Sequence, residues 1–396
     1  MTTVSSLPRP FDAGFFTNPY ATYARLRAEA AVHHLSTPDG SPIWLVTRER
    51  DVRAALSDPQ LSVNKAHSTQ GFKGFSLPPA LDANLLNVDQ GDHLRLRRLV
   101  SRAFTTRQVE QLRTTIEVTT HQLADAIAAD GITDLAAVYA HPLPITVIGD
   151  LFAVPDTDRL AFASWVTAMF APDYPGQVGE AIRHIQAFLT GLVADRRRTP
   201  GRDLLSALIA ARDEGDRLSE DELVSLAFLI LMAGSENVQH LITSGVLTLL
   251  QQPHQLDDLR ASPDLLPEAV EELLRYAHPN QMAIRRFPLE DIEIGGIGIP
   301  KGETVMLCLA SANRDPDRYP DADRFDIHRK DKSHLCLGHG LHYCLGAALG
   351  RMEIQAALAT LLHRFPRLRL AIPPHELRWR SSWRSHALRE LPVSVS

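Results

Sequence analysis

Residues 334–346, His-Leu-Cys-Leu-Gly-His-Gly-Leu-His-Tyr-Cys-Leu-Gly, gather two of the chain's three cysteines with three histidines and three glycines. Side chains of these types fit three kinds of chemistry. Zinc binding is one, because His334 and His339 have a spacing met in zinc sites. The C-x-x-C half of such a site is absent, and Cys336 and Cys344 stand too far apart in sequence to replace it. A cysteine nucleophile with a histidine base is the second, although no local protease signature accompanies it. The third is haem iron held by a cysteine thiolate, with a neighbouring histidine serving a propionate. Gly338, Gly340 and Gly346 suit a flat ligand, since they allow conformations and close approaches that side chains block.

The elements around this segment must hold it in place. Ala347 to Leu362 reads as a helix rich in Ala and Leu, which sets Cys344 just before a helix N-terminus. Unpaired N–H groups and the helix dipole stabilise a thiolate there. The longest helix is predicted earlier in the chain. Ser219 and Glu222 form a capping box ahead of the run Leu223–Leu250, and Pro253 closes it. About thirty residues at 1.5 Å each give roughly 45 Å, enough to cross a domain. Ala233-Gly234-Ser235-Glu236-Asn237 is a polar break in its middle. A glycine there costs about 1 kcal/mol against alanine, and a buried carboxylate costs more unless partnered. Either Gly234 is a packing glycine beside a partly wet face, or a ligand approaches the backbone at this point.

Strand signals cluster at Asp291–Leu309, where alternating Ile residues meet Gly-Gly and Pro-Lys-Gly turns and predict a hairpin-rich patch. Pro78-Pro79, Pro142-Leu143-Pro144 and Pro373-Pro374 are expected to stop helices, because proline lacks the N–H and restricts its predecessor. The expected architecture is mostly α with a small β-region and no visible domain boundary.

Composition narrows the class. With 396 residues, 44% hydrophobic and 22% charged, the chain is globular rather than disordered or fibrous. Its net charge of −6, from 41 Lys+Arg against 47 Asp+Glu, gives no ground for wholesale nucleic-acid binding. The N-terminal residues lack the apolar core of a secretory signal, and the apolar stretch Leu223 to Gly234 is too short to span a bilayer. A cytoplasmic protein without disulfides, nucleic-acid or membrane partner is expected.

Several motifs together decide between the three chemistries. L-G-H-G-L-H-Y-C-L-G resembles the haem-binding signature F-G-x-G-x-H-x-C-x-G of the cytochrome P450 family, departing only at Leu337 in place of Phe. Glu272 and Arg275 match the family's E-x-x-R motif, and Arg324 in D-R-F-D looks like the downstream arginine that joins them. A-G-S-E-N resembles the oxygen-side motif A-G-x-[DE]-T, and D-H-L-R-L-R-R-L-V at 92–100 resembles a bacterial haem-contacting helix. The matches keep the family's order from about residue 10 to the C-terminus.

The resemblance implies a single P450-like catalytic domain over residues 1–396, with a long central helix across a haem. It implies haem b ligated by Cys344, O2 as co-substrate, and haem contacts from His93, Arg97, Ala233, Gly234, Arg286, Leu337, Gly338, His342 and Gly346. Glu272 and Arg275 are expected to be structural. Cys308 and Cys336 read as small buried hydrophobes. On the oxygen side the chain departs from its family: Asn237 stands where Thr is usual, and an amide is no proton-transfer acid at neutral pH. Glu236 is the candidate proton source, with the Ser235 hydroxyl beside it and Asn237 orienting rather than relaying.

The implied activity is monooxygenation of a sizeable organic substrate in secondary metabolism. Oxidative coupling or ring formation without oxygen insertion is the alternative, and a haem-binding sensor the non-enzyme one. Electrons are expected from a separate ferredoxin or flavodoxin with its reductase. Arg329, Lys330 and Lys332 form a candidate docking run for such an acidic donor. Phe72, Phe75, Leu77, Leu85, Leu86, Trp165, Met169, Phe170 and Tyr174 fall in the regions expected to cover the substrate pocket.

Overall fold

The structure is a computed structural model that describes residues 7–72, 77–128, 131–170, 172, 174–213 and 218–396. Phe75 lies outside the described residues, as does the side chain of Phe170. The chain divides into two compact units. One comprises Met1–Gly74, Thr243–Cys344 and Arg367–Ser394; the other comprises Phe75–Ile242, Leu345–Pro366 and Val395–Ser396.

In the first unit, Val32–Ser36 pairs antiparallel with Pro42–Val46, which pairs parallel with Val305–Leu307. Side chains alternate between the two faces of this sheet, and both faces are covered. On one face Val32, Val46, Val305 and Leu307 pack with Val52 and Leu56 and with Leu335, the last residue before the cysteine loop turns. On the other, Leu35, Ile43, Leu45, Met306 and Cys308 meet Phe15, Tyr23 and Leu26. The sheet core is thus the floor on which the cysteine loop rests.

Two expectations are corrected here. Strands do not cluster in one place. The hairpin Ile292–Ile294 with Ile297–Ile299 forms as predicted, over Gly295 and Gly296 at φ +56 and +82. The next strand, Val305–Leu307, leaves that hairpin for the N-terminal pair, whose sequence V-H-H-L-S carries too weak an apolar alternation to be read. The paired prolines, moreover, open helices instead of stopping them, whereas Pro253 follows the end of the long helix at Leu250 as predicted and also opens the next one. Pro79, Pro142, Pro253 and Pro374 each sit in the first turn of their helix, where the missing N–H costs nothing.

The E-x-x-R helix, Leu266–Ala277, buries Glu272 and Arg275 completely. Arg275 uses all five N–H donors. It makes two 2.8 Å bonds to Glu272 and further bonds to the carbonyls of Asn313, Ala322 and Arg324. A buried ion pair adds little over apolar packing, but removal of one partner costs several kcal/mol.

The long helix runs Glu220–Leu250. Its capping box is present: the Glu222 carboxylate accepts from Ser219 N at 2.7 Å, and Ser219 Oγ accepts from Glu222 N at 3.1 Å. In the second unit its first turns are tied down by Asn84, whose Nδ2 donates to Ser225 Oγ at 2.9 Å, and by the Arg95–Glu222 ion pair. A π-helical turn, Ala136–Ala140, precedes the helix Pro142–Leu151. It is pinned to the C-terminal helix Ala347–Arg364 by Tyr139 Oη donating to the Ala357 carbonyl at 2.9 Å.

Candidate active site

Backbone bonds shape the cysteine loop. Gly338 N donates to the Leu335 carbonyl at 2.9 Å, and Cys344 N donates to the Leu337 carbonyl at 2.8 Å. Gly338 and Gly340 lie at φ +77 and +70, which side chains disfavour. At Gly340 a Cβ would also come within 3.1 Å of Ser57 Cβ, so this glycine lets the loop lie on the end of the 49–57 helix. The loop's stem is fixed by Asn313, a fully buried residue whose Oδ1 accepts from Leu335 N at 2.7 Å.

This fold presents one cysteine. Cys344 is exposed, Cys336 intermediate and Cys308 buried. Burial pushes the Cys308 thiol up to about 12, which makes it inert, as expected. Cys344 lies two residues before Gly346, the N-cap of Ala347–Arg364, a position at which a helix N-terminus favours a thiolate. A Cβ on Gly346 would meet nothing within 4 Å, so protein packing does not demand that glycine. His334 is engaged elsewhere, its ring 3.2 Å from Glu271 and 4% exposed, and among the described residues no three His, Cys, Asp or Glu side chains gather as a zinc set.

Cations expected at the haem are also in the first unit. Arg286 is buried at 2% exposure, with Nη1 donating to the Ile284 carbonyl at 2.8 Å and its backbone bridged to Val305. His342 is half-buried in the short turn Gly340–His342.

In the second unit, His93 and Arg97 stand one turn apart on Gln90–Ala103. His93 is buried at 1% exposure. Burial, and next the Arg97 charge, hold its imidazole down at about 4, so it is neutral at physiological pH. The polar break of the long helix has a divided character. Gly234 faces protein: a Cβ there would lie 2.8 Å from Ile148, which makes it a packing glycine. Ala233, its neighbour, is exposed in the middle of an otherwise buried helix. The Ser235 hydroxyl donates to its own helix, to the carbonyls of Leu231 at 3.0 Å and Met232 at 3.2 Å, so its hydrogen is engaged in back-bonding. Glu236 is held by its own helix as well, with Gln239 Nε2 at 2.8 Å and His240 Nε2 at 3.1 Å. Asn237 is half-buried.

Geometry corrects the arginine of the E-x-x-R motif. Arg324 is exposed and offers Glu272 no side chain, only its carbonyl to Arg275. Arg329 takes the third position, with Nε 3.3 Å from Glu272 Oε1 and bonds to the carbonyls of Pro320, Asp321 and Arg324. The supposed docking run is corrected by the same geometry. Arg329 is 9% exposed and Lys332 is paired with Glu268 at 2.6 Å, leaving Lys330 exposed. Sequence gave no means of choosing between two arginines five residues apart.

Of the expected pocket residues, Leu85 and Met169 are buried at 5% and 3%, so they belong to the core. Phe72 stands edge-on to Phe287 with Lys65 and Arg285 over its ring. Trp165 stacks on His184, and Tyr174 bonds to Glu180 at 2.7 Å. Leu77 and Leu86 are half-buried.

Within the first unit, an exposed sulfur on a glycine-shaped loop and the buried Arg286 suit a flat, anionic, iron-bearing cofactor. Residues 145–375 match the family model Cytochrome P450. The chain is 44% identical to the cytochrome P450 monooxygenase PikC of Streptomyces venezuelae, over 96% of this chain and 91% of that protein. It is 40% identical to the 6-deoxyerythronolide B hydroxylase of Saccharopolyspora erythraea, over the whole of both chains. The tirandamycin C-bound structure of the P450 monooxygenase TamI superposes with a TM-score of 0.93 at 41% identity, covering 98% of this chain and all of that one.

The chain belongs to the cytochrome P450 family. It is a monooxygenase of the bacterial secondary-metabolite type, and the family implies haem iron and O2. Among the described residues no single helix is long and apolar enough to cross a membrane.

Proposed function

We propose that the whole chain acts as one cytoplasmic haem-thiolate catalytic domain that hydroxylates a sizeable, largely apolar product of secondary metabolism, of the polyketide kind. Electrons come from a separate ferredoxin or flavodoxin and its reductase. The observation that carries this reading is the single exposed cysteine, Cys344, held by positive-φ glycines at the start of a helix.

Cys344 would hold the iron of haem b through its sulfur. His93, Arg97, Arg286 and His342 hold the propionates through charge-assisted or neutral hydrogen bonds. Ala233, Gly338 and Gly346 would present little side-chain bulk to the cofactor and Leu337 would lie beside the ligating sulfur, while Gly234 contributes by letting its helix pack on Ile148. When bound, the haem supplies the activation of O2 that a thiolate ligand favours. Glu236 moves protons toward the reacting oxygen, and Asn237 orients water or a substrate hydroxyl. The engaged hydroxyl of Ser235 gives it a lesser part, that of shaping the helix.

Asn237 also favours a second outcome, in which substrate radicals couple without oxygen insertion. Turnover of a panel of macrolide and linear polyketides with a surrogate ferredoxin–reductase pair tests both. The proposal expects substrate-dependent O2 uptake and products heavier by one oxygen atom. Products lighter by two hydrogens mean coupling, and no turnover with any substrate that shifts the haem spin state means a sensor.

A further inference from the structure

Glu236 is built into a cluster that a lone proton-donating acid does not need. One turn further along the same helix stands His240, with Nε2 3.1 Å from Glu236 Oε1 and a side chain 1% exposed. Gln239 Nε2 donates to the other carboxylate oxygen at 2.8 Å. Against the buried ring of His240 lies a second imidazole, His141, edge-on with ring centres 5.8 Å apart. His141 follows the π-helical turn Ala136–Ala140 and takes its backbone bond from it, N to the Ala136 carbonyl at 2.9 Å. Such turns are rare and recur at functional sites.

The spacing explains the contact. Positions four apart on a helix share a face, so Glu236 and His240 meet by construction, and His141 adjoins from the neighbouring helix. Helix stability does not ask for this arrangement. Burying a histidine beside a half-buried carboxylate costs more desolvation than an apolar pair of the same size. Carboxylate and imidazole in hydrogen-bond reach are the parts of a proton-transfer pair.

We infer that His240 and His141 form the inner end of a proton relay that recharges Glu236. This inference rests on the reading of Glu236 as the proton source. Monooxygenation consumes two protons with two electrons and one O2 to give an oxidised product and water. In the relay, His240 takes up a proton to become imidazolium, with His141 as the adjoining titratable ring. Its Nε2–H bond then breaks as Glu236 Oε1 forms O–H, leaving a neutral imidazole and a carboxylic acid. Glu236 releases that proton toward the reacting oxygen and returns to carboxylate.

On the C-terminal helix, Glu353 shares a face with Gly350, which meets Val238, and with Ala357, which meets Tyr139. It is 1% exposed, and burial raises its carboxyl well above the usual range, which favours the uncharged form.

The relay is tested on haem-loaded enzyme with a surrogate ferredoxin–reductase pair, as product formed per NAD(P)H, and on the ferrous CO complex by NMR of 13C-labelled histidine. Glu236→Gln is expected to cut product formation by about 100-fold. His240→Gln keeps a side-chain donor but cannot carry a proton, and is expected to cut it by about 100-fold as well. His141→Phe is expected to lower it too. In Glu236→Gln the His240 resonance should titrate at lower pH than in wild type, which reports the coupling of the two groups; the solvent deuterium isotope effect on product formation should grow in His240→Gln, a change that a structural role for His240 does not produce. If Glu236→Gln impairs turnover while His240→Gln and His141→Phe do not, and the His240 titration stays put, the relay is wrong and the Glu236 reading stands. If Glu236→Gln turns over normally, that reading falls and the relay with it.

Discussion

Arg329 reaches back to Glu272 with Nε 3.3 Å from Oε1, completing a buried carboxylate that already holds Arg275 by two bonds. Arg324, the arginine suggested by sequence, points to solvent. The two arginines are therefore expected to behave differently on truncation. Arg329→Ala should destabilise the fold by about 3 kcal/mol, because Glu272 keeps its charge and loses a partner in the interior. Arg324→Ala should stay within about 0.5 kcal/mol of wild type. Urea unfolding of both variants decides it, and equal effects would remove the assignment.

Gly234 accommodates Ile148, whose Cδ1 would lie 2.8 Å from an added Cβ. Gly234→Ala should cost about 1–3 kcal/mol through overpacking. Trimming the neighbour in Gly234→Ala/Ile148→Val should return part of that loss. A double-mutant cycle on thermal unfolding measures the coupling, and additive effects contradict the contact.

Asn313 ties the E-x-x-R helix to the cysteine loop, its carbonyl accepting from Arg275 and its Oδ1 from Leu335 N. Because Oδ1 faces that N–H, Nδ2 faces His278 Nε2 at 2.9 Å, which makes Nε2 the acceptor. Asn313→Ala leaves Leu335 N–H buried without its partner, at about 1–3 kcal/mol. The expected signature is a larger fraction of CO complex lacking the thiolate band, with Asn313→Asp closer to wild type. Unchanged spectra in Asn313→Ala would count against this anchoring role.

Acid should weaken the fold through its buried histidines. Burial first, then the charges of His334 and Arg314, hold His278 at about 3. Burial first, then Arg314, does the same to His386, also at about 3. Both folded-state values lie below the unfolded value of roughly 6.5. As pH falls below that value the unfolded chain takes up protons that the fold refuses, and stability drops by about 1.4 kcal/mol per pH unit for each histidine until about pH 3. Above pH 7 these groups contribute no slope. Urea midpoints between pH 7 and 4.5 should fall less steeply in His278→Gln than in wild type. Parallel curves would show that His278 titrates normally.

Asn237 carries no acidic proton, so Asn237→Thr should raise product per NAD(P)H and Asn237→Ala should lower it. Unchanged coupling in both variants would exclude a role for this side chain.

The sequence exposed what depends on local rules. Cys344 before a helix start, the Ser219–Glu222 box and the Gly295-Gly296 hairpin each follow from a few neighbouring residues, and each is present. It hid what depends on tertiary choice. Arg329 differs from Arg324 only by which one the chain turns inward. Val32–Ser36 becomes a strand because Pro42–Val46 and Val305–Leu307 are available beside it. Gly234 allowed two explanations until Ile148 was seen against it. His240 was illegible for another reason: its carboxylate neighbour is visible at four-residue spacing, but its burial against His141 is not.

The reduced, CO-bound absorption spectrum of purified enzyme tests the central claim, ligation of haem iron by Cys344. Wild type should show the long-wavelength band of an anionic sulfur ligand. Cys344→Ala should lose that band and product formation together, while Cys336→Ala and Cys308→Ala keep both. A Cys344→Ala protein that retains the thiolate band and full turnover would contradict the account.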